Sequence, residues 1–479
     1  MPVELTFRLE RDPLGEREVP VDAYYGIQTL RASENFRISG LRAPRAFIRA
    51  TGAVKLAACR ANARLGLLER RLARAVAKAA KEVAGGRFDT EFIVDVFQAG
   101  AGTSHNMNAN EVIANRAIEI LGGKKGDYGL VHPNDHVNMG QSTNDTVPTA
   151  LRIAVLSESA GLLEALGTLE AALRAKSREF RKVIKSGRTH LQDAVPMTLG
   201  QEFGSWASAV KSSIKRIERA SECLKRIGLG GTAVGTGINT HPEYSGRALR
   251  ELSEASGIKG LRKAEDAFEA LNSFTDFSSF SAALRDAALD LIRIANDLRL
   301  LGSGPMTGLA EVKLPPVQPG SSIMPGKVNP VMAEMMDMVG FQVIGADASI
   351  AAAVQAGQLE LNVMLPVIGH NLLHSVQILT NAALAFSEKC VRGIEADPGR
   401  CRRYFETSEG LATALNAVIG YEKAAEVAKE SMRTGKTVKE TAIQKGVLTK
   451  AEWDRIFDPG RITRPAEFSA LRKKRRAGR

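Results

Sequence analysis

Prolines are distributed so that four long stretches of the chain lack them: none falls between Pro148 and Pro196, between Pro196 and Pro242, between Pro242 and Pro305, or between Pro330 and Pro366. Proline removes a backbone donor and crowds the preceding turn, so long helices fit these intervals. Within them apolar residues recur every three or four positions: Leu162, Leu166, Leu169 and Leu173; Phe203, Trp206, Val210, Ile214 and Ile217; Leu284, Ala288, Leu291, Ala295 and Leu298; Leu372, Val376, Leu379, Ala383 and Phe386. This period is that of a helix with one apolar stripe, and it predicts five long helices over 149–185, 198–227, 266–302, 331–356 and 364–393. Such seams favour near-parallel packing in a bundle. With 5% aromatic residues and little period-two alternation, a sheet-based fold is excluded. The expected fold is mostly α: a mixed, mainly helical N-terminal domain over 1–148, a central five-helix bundle over 149–394, and a small helical C-terminal domain over 395–479.

The fourth predicted helix has little polar face, because Met335, Met336, Met338, Val339, Phe341, Val343, Ile344, Ala346 and Ile350 crowd it. A helix apolar nearly all round is buried on all sides. It lies either at the centre of one chain or between subunits joined through their bundles.

The net charge of +12 is less diffuse than it looks, since Arg472, Lys473, Lys474, Arg475, Arg476 and Arg479 supply six of those charges. A solvated terminus accounts for such a run, so nucleic acid is not an expected partner; the remaining excess suits anionic substrates. Cys59, Cys223, Cys390 and Cys401 lie far apart, with no C-x-x-C pair and no histidine at zinc-ligand spacing, so reduced thiols and no metal site are expected. The first twelve residues carry charges where a signal peptide needs an apolar run, and no stretch offers eighteen uninterrupted apolar residues. A soluble, cytoplasmic protein is expected, with no membrane partner.

One loop gathers unusual chemistry. Gly320-Ser-Ser-Ile-Met-Pro-Gly-Lys-Val-Asn-Pro330 places a possible base (Ser321 or Ser322), a cation (Lys327) and an amide (Asn329) close together, and its glycines and prolines bar regular helix or central strand. It is not a nucleotide P-loop, because five residues separate its glycines and Val328 follows the lysine. The other glycine-rich stretch, Leu229 to Asn239, has Thr240 where a dinucleotide fingerprint needs its third glycine, and it follows a helical pattern. Three further runs concentrate hydroxyl, amide and imidazole groups: Gly102-Thr-Ser-His-Asn-Met-Asn108, Gln141-Ser-Thr-Asn-Asp145 and Gly187-Arg-Thr-His-Leu-Gln-Asp193. Each run alone reads as a helix cap or turn. Together with the 320 loop, each at or near a predicted helix end, they can converge on one pocket.

In order and spacing these four runs resemble the substrate-binding segments of the aspartase/fumarase superfamily, and the likeness extends from Arg11-Asp-Pro-Leu-Gly15 to Gly446-Val-Leu-Thr-Lys450. The resemblance implies a three-domain helical subunit, a homotetramer whose active sites each draw on three subunits, and a dicarboxylate substrate. The implied reaction is reversible anti-elimination of ammonia or water to give fumarate, with no cofactor. Ser321 is then the base. Lys327 and Asn329 bind substrate, and backbone amides of Ser322, Ile323 and Met324 help hold the developing charge. Thr103, Ser142, Thr143, Asn144, Thr189 and His190 anchor the carboxylates and amino group, and Glu334 matches a carboxylate that orients the histidine in fumarases. A capping acid in a helix's first turn is the other reading of Glu334.

Within the superfamily, Ala23-Tyr-Tyr-Gly26, Gly100-Ala-Gly-Thr-Ser104 and Gln141-Ser-Thr-Asn-Asp145 resemble the ammonia-lyase branch, whereas Thr240-His-Pro-Glu-Tyr244 and His190 resemble the hydratase branch. Met306 stands where both usually have arginine, Leu365 where aspartases usually have glutamate, and Gly129 where a second anion site of fumarases needs a basic residue. The expected activity is aspartate ammonia-lyase, with class II fumarate hydratase as the alternative and a non-catalytic tetrameric scaffold behind both.

Overall fold

The structure is a computed structural model that describes residues 6–464. The basic run at 472–479 lies outside the described residues. In chain order the elements are β1 (Phe7–Asp12), β2 (Gly15–Pro20), α1 (Ile27–Asn35), α2 (Arg45–Arg64), α3 (Arg70–Ala84), α4 (Thr103–Ile120) and α5 (Thr143–Glu179). Next come β3 (Ile184–Thr189), β4 (Gln192–Thr198), α6 (Leu199–Cys223), β5 (Arg226–Ile227), α7 (Tyr244–Ser256), β6 (Arg262–Lys263), α8 (Glu269–Asn272), α9 (Thr275–Leu301) and β7 (Val312–Lys313). The chain continues through α10 (Val331–Gln355), α11 (Leu365–Lys389), β8 (Glu395–Ala396), α12 (Pro398–Thr407), α13 (Leu411–Ile419), α14 (Tyr421–Thr434), α15 (Val438–Gln444), α16 (Lys450–Ile456) and α17 (Pro459–Ile462). The fold is mostly α, and every sheet among the described residues has two strands.

Helices α5, α6, α9, α10 and α11 are the five long helices that the spacing of apolar residues predicts. Three expectations are corrected. The first helix stops at Glu179 instead of running to 185, because the chain turns there into β3, which pairs antiparallel with β4. The third begins at Thr275, because Asp266 accepts the amides of Phe268 and Glu269 and closes a separate short turn first. The glycine-rich stretch follows the two-residue strand β5, paired parallel with β6, instead of a helix.

The chain divides into two compact units. Among the described residues, one holds 6–164, with Lys215–Ala288 and Phe341–Thr380; the other holds Ala165–Ile214, Leu289–Gly340 and 381–464. In the first, α2, α3 and α4 enclose a core that includes Val76, Ala79 and Val83 with Val112, Ile113 and Ala117. In the second, Ile184 of β3 joins Phe405, Leu411, Leu415, Val427 and Trp453 of the small helices. Two of those helices start at capping boxes, Thr437 with Glu440 and Thr449 with Glu452, in which hydroxyl and carboxylate reciprocally satisfy first-turn amides.

Helix α10 is not buried on all sides within the chain. Met336, Val343, Ala346 and Ile350 are buried, but Met338 (63%) and Phe341 (59%) are exposed. Two aspartates fix its inward side, Asp337 to Arg299 at 2.9 Å and Asp347 to Arg285 at 3.0 Å, both arginines belonging to α9. Among the described helices it is the one long and apolar enough to cross a membrane by length and composition. Its paired aspartates fit the core of a globular protein better. All four cysteines are free, with Cys223 exposed.

Candidate active site

The 320 loop is irregular, as its glycines and prolines require, but its neck is tied. Gly320 N donates to Lys327 O at 2.9 Å, and Asn329 Nδ2 donates to Gly320 O at 2.6 Å. A Cβ at Gly320 would run into the Lys327 carbonyl and stand 2.8 Å from Asn329 N, so only glycine lets the two arms close. Inside the loop Ser321 Oγ accepts from the amides of Ile323 (3.2 Å) and Met324 (3.0 Å). Those amides are thus spent on the serine oxygen, where two donors favour an alkoxide over the neutral hydroxyl. Ser322, Ile323, Met324 and Lys327 are exposed. Glu334 occupies the first turn of α10, where a carboxylate meets the positive end of the helix dipole. It makes no hydrogen bond to His190 within the chain.

Thr189 and His190 do not lie at a helix end. They form the tip of the β3/β4 hairpin, where His190 (φ 55°) and Leu191 (φ 58°) both adopt left-handed backbone. A two-residue turn with both φ values positive is normally filled by Asn-Gly or similar pairs, so a His-Leu tip is held against its preference by the rest of the hairpin. The anchor is electrostatic. Lys185 of β3, 2% exposed at its side chain, pairs with Glu202 (2.7 Å) and Glu311 (2.8 Å), and Arg188 pairs with Glu311 at 2.8 Å. Both Thr189 and His190 are exposed.

In the first unit, Thr103 stands exposed as the first residue of α4 behind Gly102, whose φ is 87°. Ser142, Thr143 and Asn144 start α5. Ser142 Oγ accepts from Asn144 N at 3.2 Å, and Asp145 Oδ1 accepts from Ser142 N at 2.9 Å. The capping reading of this run is therefore correct. Asp145 Oδ2 also accepts from Gly230 N (2.9 Å) and Thr232 N (3.0 Å), while Asn144 Nδ2 donates to Ala233 O at 2.7 Å, so the glycine-rich loop is bound to the start of α5. Burial pushes the Asp145 carboxyl up to about 6 against the pull of these amides.

Beneath Thr143 lies a buried polar layer that the motifs did not single out. Asn106 Nδ2 donates to Thr143 Oγ1 (3.2 Å) and to Asn138 Oδ1 (3.3 Å), and the fully buried Lys55 donates to Asn138 Oδ1 and Gln141 Oε1, each at 2.9 Å. Burial pushes Lys55 down to about 7. The same burial takes His105, hydrogen-bonded to Thr51, down to about 3 and leaves its imidazole neutral. The signal for Lys55 was present in the sequence: Val54-Lys55-Leu56-Ala57-Ala58 gives a lysine no polar neighbours.

Residues 15–345 match the lyase family, and residues 411–464 match the fumarase C C-terminal domain. The chain belongs to this lyase family. An aspartate ammonia-lyase from a Bacillus species is 49% identical over 458 residues, covering 96% of this chain and 98% of the relative. A class II fumarate hydratase from Halobacterium salinarum is 52% identical, covering 95% and 97%. A fumarate lyase:delta crystallin from Brucella melitensis, solved bound to cobalt, matches at a TM-score of 0.94 and 50% identity over 96% of this chain and all of that one. Both branches of the lyase family thus lie at similar distance.

Proposed function

We propose that this lyase is an aspartate ammonia-lyase, releasing ammonia from L-aspartate to give fumarate by anti-elimination. The observation that carries the reading is Ser321, whose Oγ sits under two backbone N–H groups in a loop that also carries Lys327 and Asn329. Ser321 Oγ takes the proton from the carbon beside a carboxylate. The electron pair moves onto that carboxylate as an aci-carboxylate dianion, which Lys327 and Asn329 stabilise; preorganised donors of this kind give the largest share of such catalysis. The pair then returns to form the double bond as the carbon–nitrogen bond breaks.

Ammonia leaves readily from an ammonium that is already protonated, whereas hydroxide needs a general acid. An exposed His190 without a carboxylate partner among the described residues suits the first leaving group better. Thr103, Ser142, Thr143, Asn144, Thr189 and Ser322 complete the substrate contacts, while Ile323 and Met324 act through the amides they direct at Ser321 Oγ. We assign a homotetramer with sites drawn from three subunits, supported by the exposed Met338 and Phe341 on the otherwise apolar α10. Glu334 then keeps its other role, as an acid in the first turn of α10 facing the positive end of the helix dipole.

The second reading is class II fumarate hydratase, supported by the 52% identity to the Halobacterium enzyme. Fumarate absorbance decides between them. Purified protein is expected to produce fumarate from L-aspartate; turnover of L-malate alone replaces the first reading by the second, and turnover of neither revives the scaffold.

A further inference from the structure

Lys55 is the least expected group in the first unit: an ammonium with 0% exposure that makes no ion pair among the described residues. An ammonium only donates, so both amides facing it must present oxygen. Asn138 Oδ1, fixed in this way, also accepts from Asn106, and Asn106 passes its other N–H to Thr143 Oγ1. The remaining amide ends agree, with Asn138 Nδ2 donating to Gln141 O (3.3 Å) and Gln141 Nε2 to Val137 O (2.9 Å). The Thr143 oxygen is thereby already an acceptor from the protein side. Its single hydrogen is left for whatever approaches from outside.

We propose that Lys55 is a positioning residue: it sets the direction of a hydrogen-bond chain through Asn138 and Asn106, so that the Thr143 hydroxyl donates to an anionic oxygen of the substrate. The proposal rests on the reading of Thr143 as a substrate contact in a fumarate-forming lyase. The surroundings fit. His105 on α4 is neutral, Tyr244 on α7 is buried and held in its neutral form, and the Asp145 carboxylate on α5 is engaged by three backbone amides. On Lys55 burial is opposed by the attraction of Asp145, and an arriving anion adds to the Asp145 side, so the site favours a carboxylate over a neutral ligand.

The test is a double-mutant cycle on the full chain, with succinate as a non-reacting probe and binding read by titration calorimetry. Lys55→Met and Thr143→Val are each expected to weaken succinate about tenfold or more, the usual cost of losing a hydrogen bond to a charged group. In the Thr143→Val background Lys55→Met is expected to change affinity by less than about twofold, because coupled neighbours are non-additive. Full additivity, or unchanged affinity in Lys55→Met, overturns the proposal. Lys55→Met leaves the Asn138 and Gln141 side-chain oxygens without their donor, so its fold is checked by circular dichroism; should Lys55→Met misfold, Asn106→Ala breaks the chain at its middle with the same expected loss, and unchanged affinity there overturns it equally. Wild-type protein that binds succinate yet turns over neither aspartate nor malate retires the lyase reading while the cycle still decides the role of Lys55. Failure to bind succinate at all overturns both.

Discussion

The start of α5 and the 320 loop carry the same kinds of side chain but are held in opposite ways. Around Thr143 the polar groups are tied into one network: Asp145 accepts the Ser142 amide and Ser142 Oγ the Asn144 amide, Asn106 and Asn138 lie beneath, and the glycine-rich loop is bound to the same Asp145 carboxylate. In the 320 loop the neck is tied, while Ser322, Ile323, Met324 and Lys327 project into solvent with Ile323 83% exposed. One region is held by a network beneath it. The other projects its side chains from a segment with few contacts of its own, and under the proposed function that segment closes over substrate.

The sharpest way to test that contrast is Ser321→Ala, which removes the proposed base from an exposed loop. It is expected to lower kcat by about 10²–10⁴-fold while the denaturation midpoint stays put, since general-base groups contribute on that scale. The converse is Asp145→Asn, where an amide NH2 must face a backbone N–H that the carboxylate now accepts. A stability loss of about 2 kcal/mol is expected in denaturant titration, from at least one lost charged hydrogen bond and its unsatisfied donor.

Lys55 gives the fixed region a pH signature. Its folded value near 7 lies below the 10.5 of a free lysine, so the unfolded chain binds more protons between those values. Its contribution is most favourable above the unfolded value and is lost as pH falls through the folded one. Denaturant midpoints of wild type, compared with Lys55→Met between pH 7 and 10, should therefore show an upward slope that the variant lacks.

On the hairpin, His190→Ala is expected to leave kcat for aspartate within about threefold, because an ammonium leaving group needs no strong acid. A loss of a hundredfold in steady-state assays with unchanged KM would give His190 a chemical role and move the assignment towards the hydratase. The smallest effect is Leu191→Gly. Leu191 is 74% exposed and sits at φ 58°, so glycine relieves the left-handed backbone without loss of packing and stabilises by about 0.5 kcal/mol, checked by thermal melting.

Much of this was legible in the sequence because helices announce themselves by local period. The five long helices follow from apolar spacing, and the irregular 320 loop follows from its own glycines and prolines. Residues 184–198 were misjudged for the opposite reason. Their hairpin is fixed by Lys185 and Arg188 meeting Glu311 more than a hundred residues later, and charged residues pointing inward erase the alternation that marks a strand. Lys55 escaped because lysine is ordinarily a surface residue, and only tertiary structure shows which oxygens surround it. The α10 face carrying Met338 and Phe341 likewise looks identical in sequence to the face that is buried.

The tied neck of the 320 loop also bears on turnover. With Gly320 bonded to both Lys327 and Asn329, the segment between them is a short closed ring whose ends are already joined. Joining the ends of a flexible segment is an entropic cost that substrate binding would otherwise have to meet in each cycle. Here folding meets it once, so under the proposed function a substrate that meets this loop finds its ends already joined.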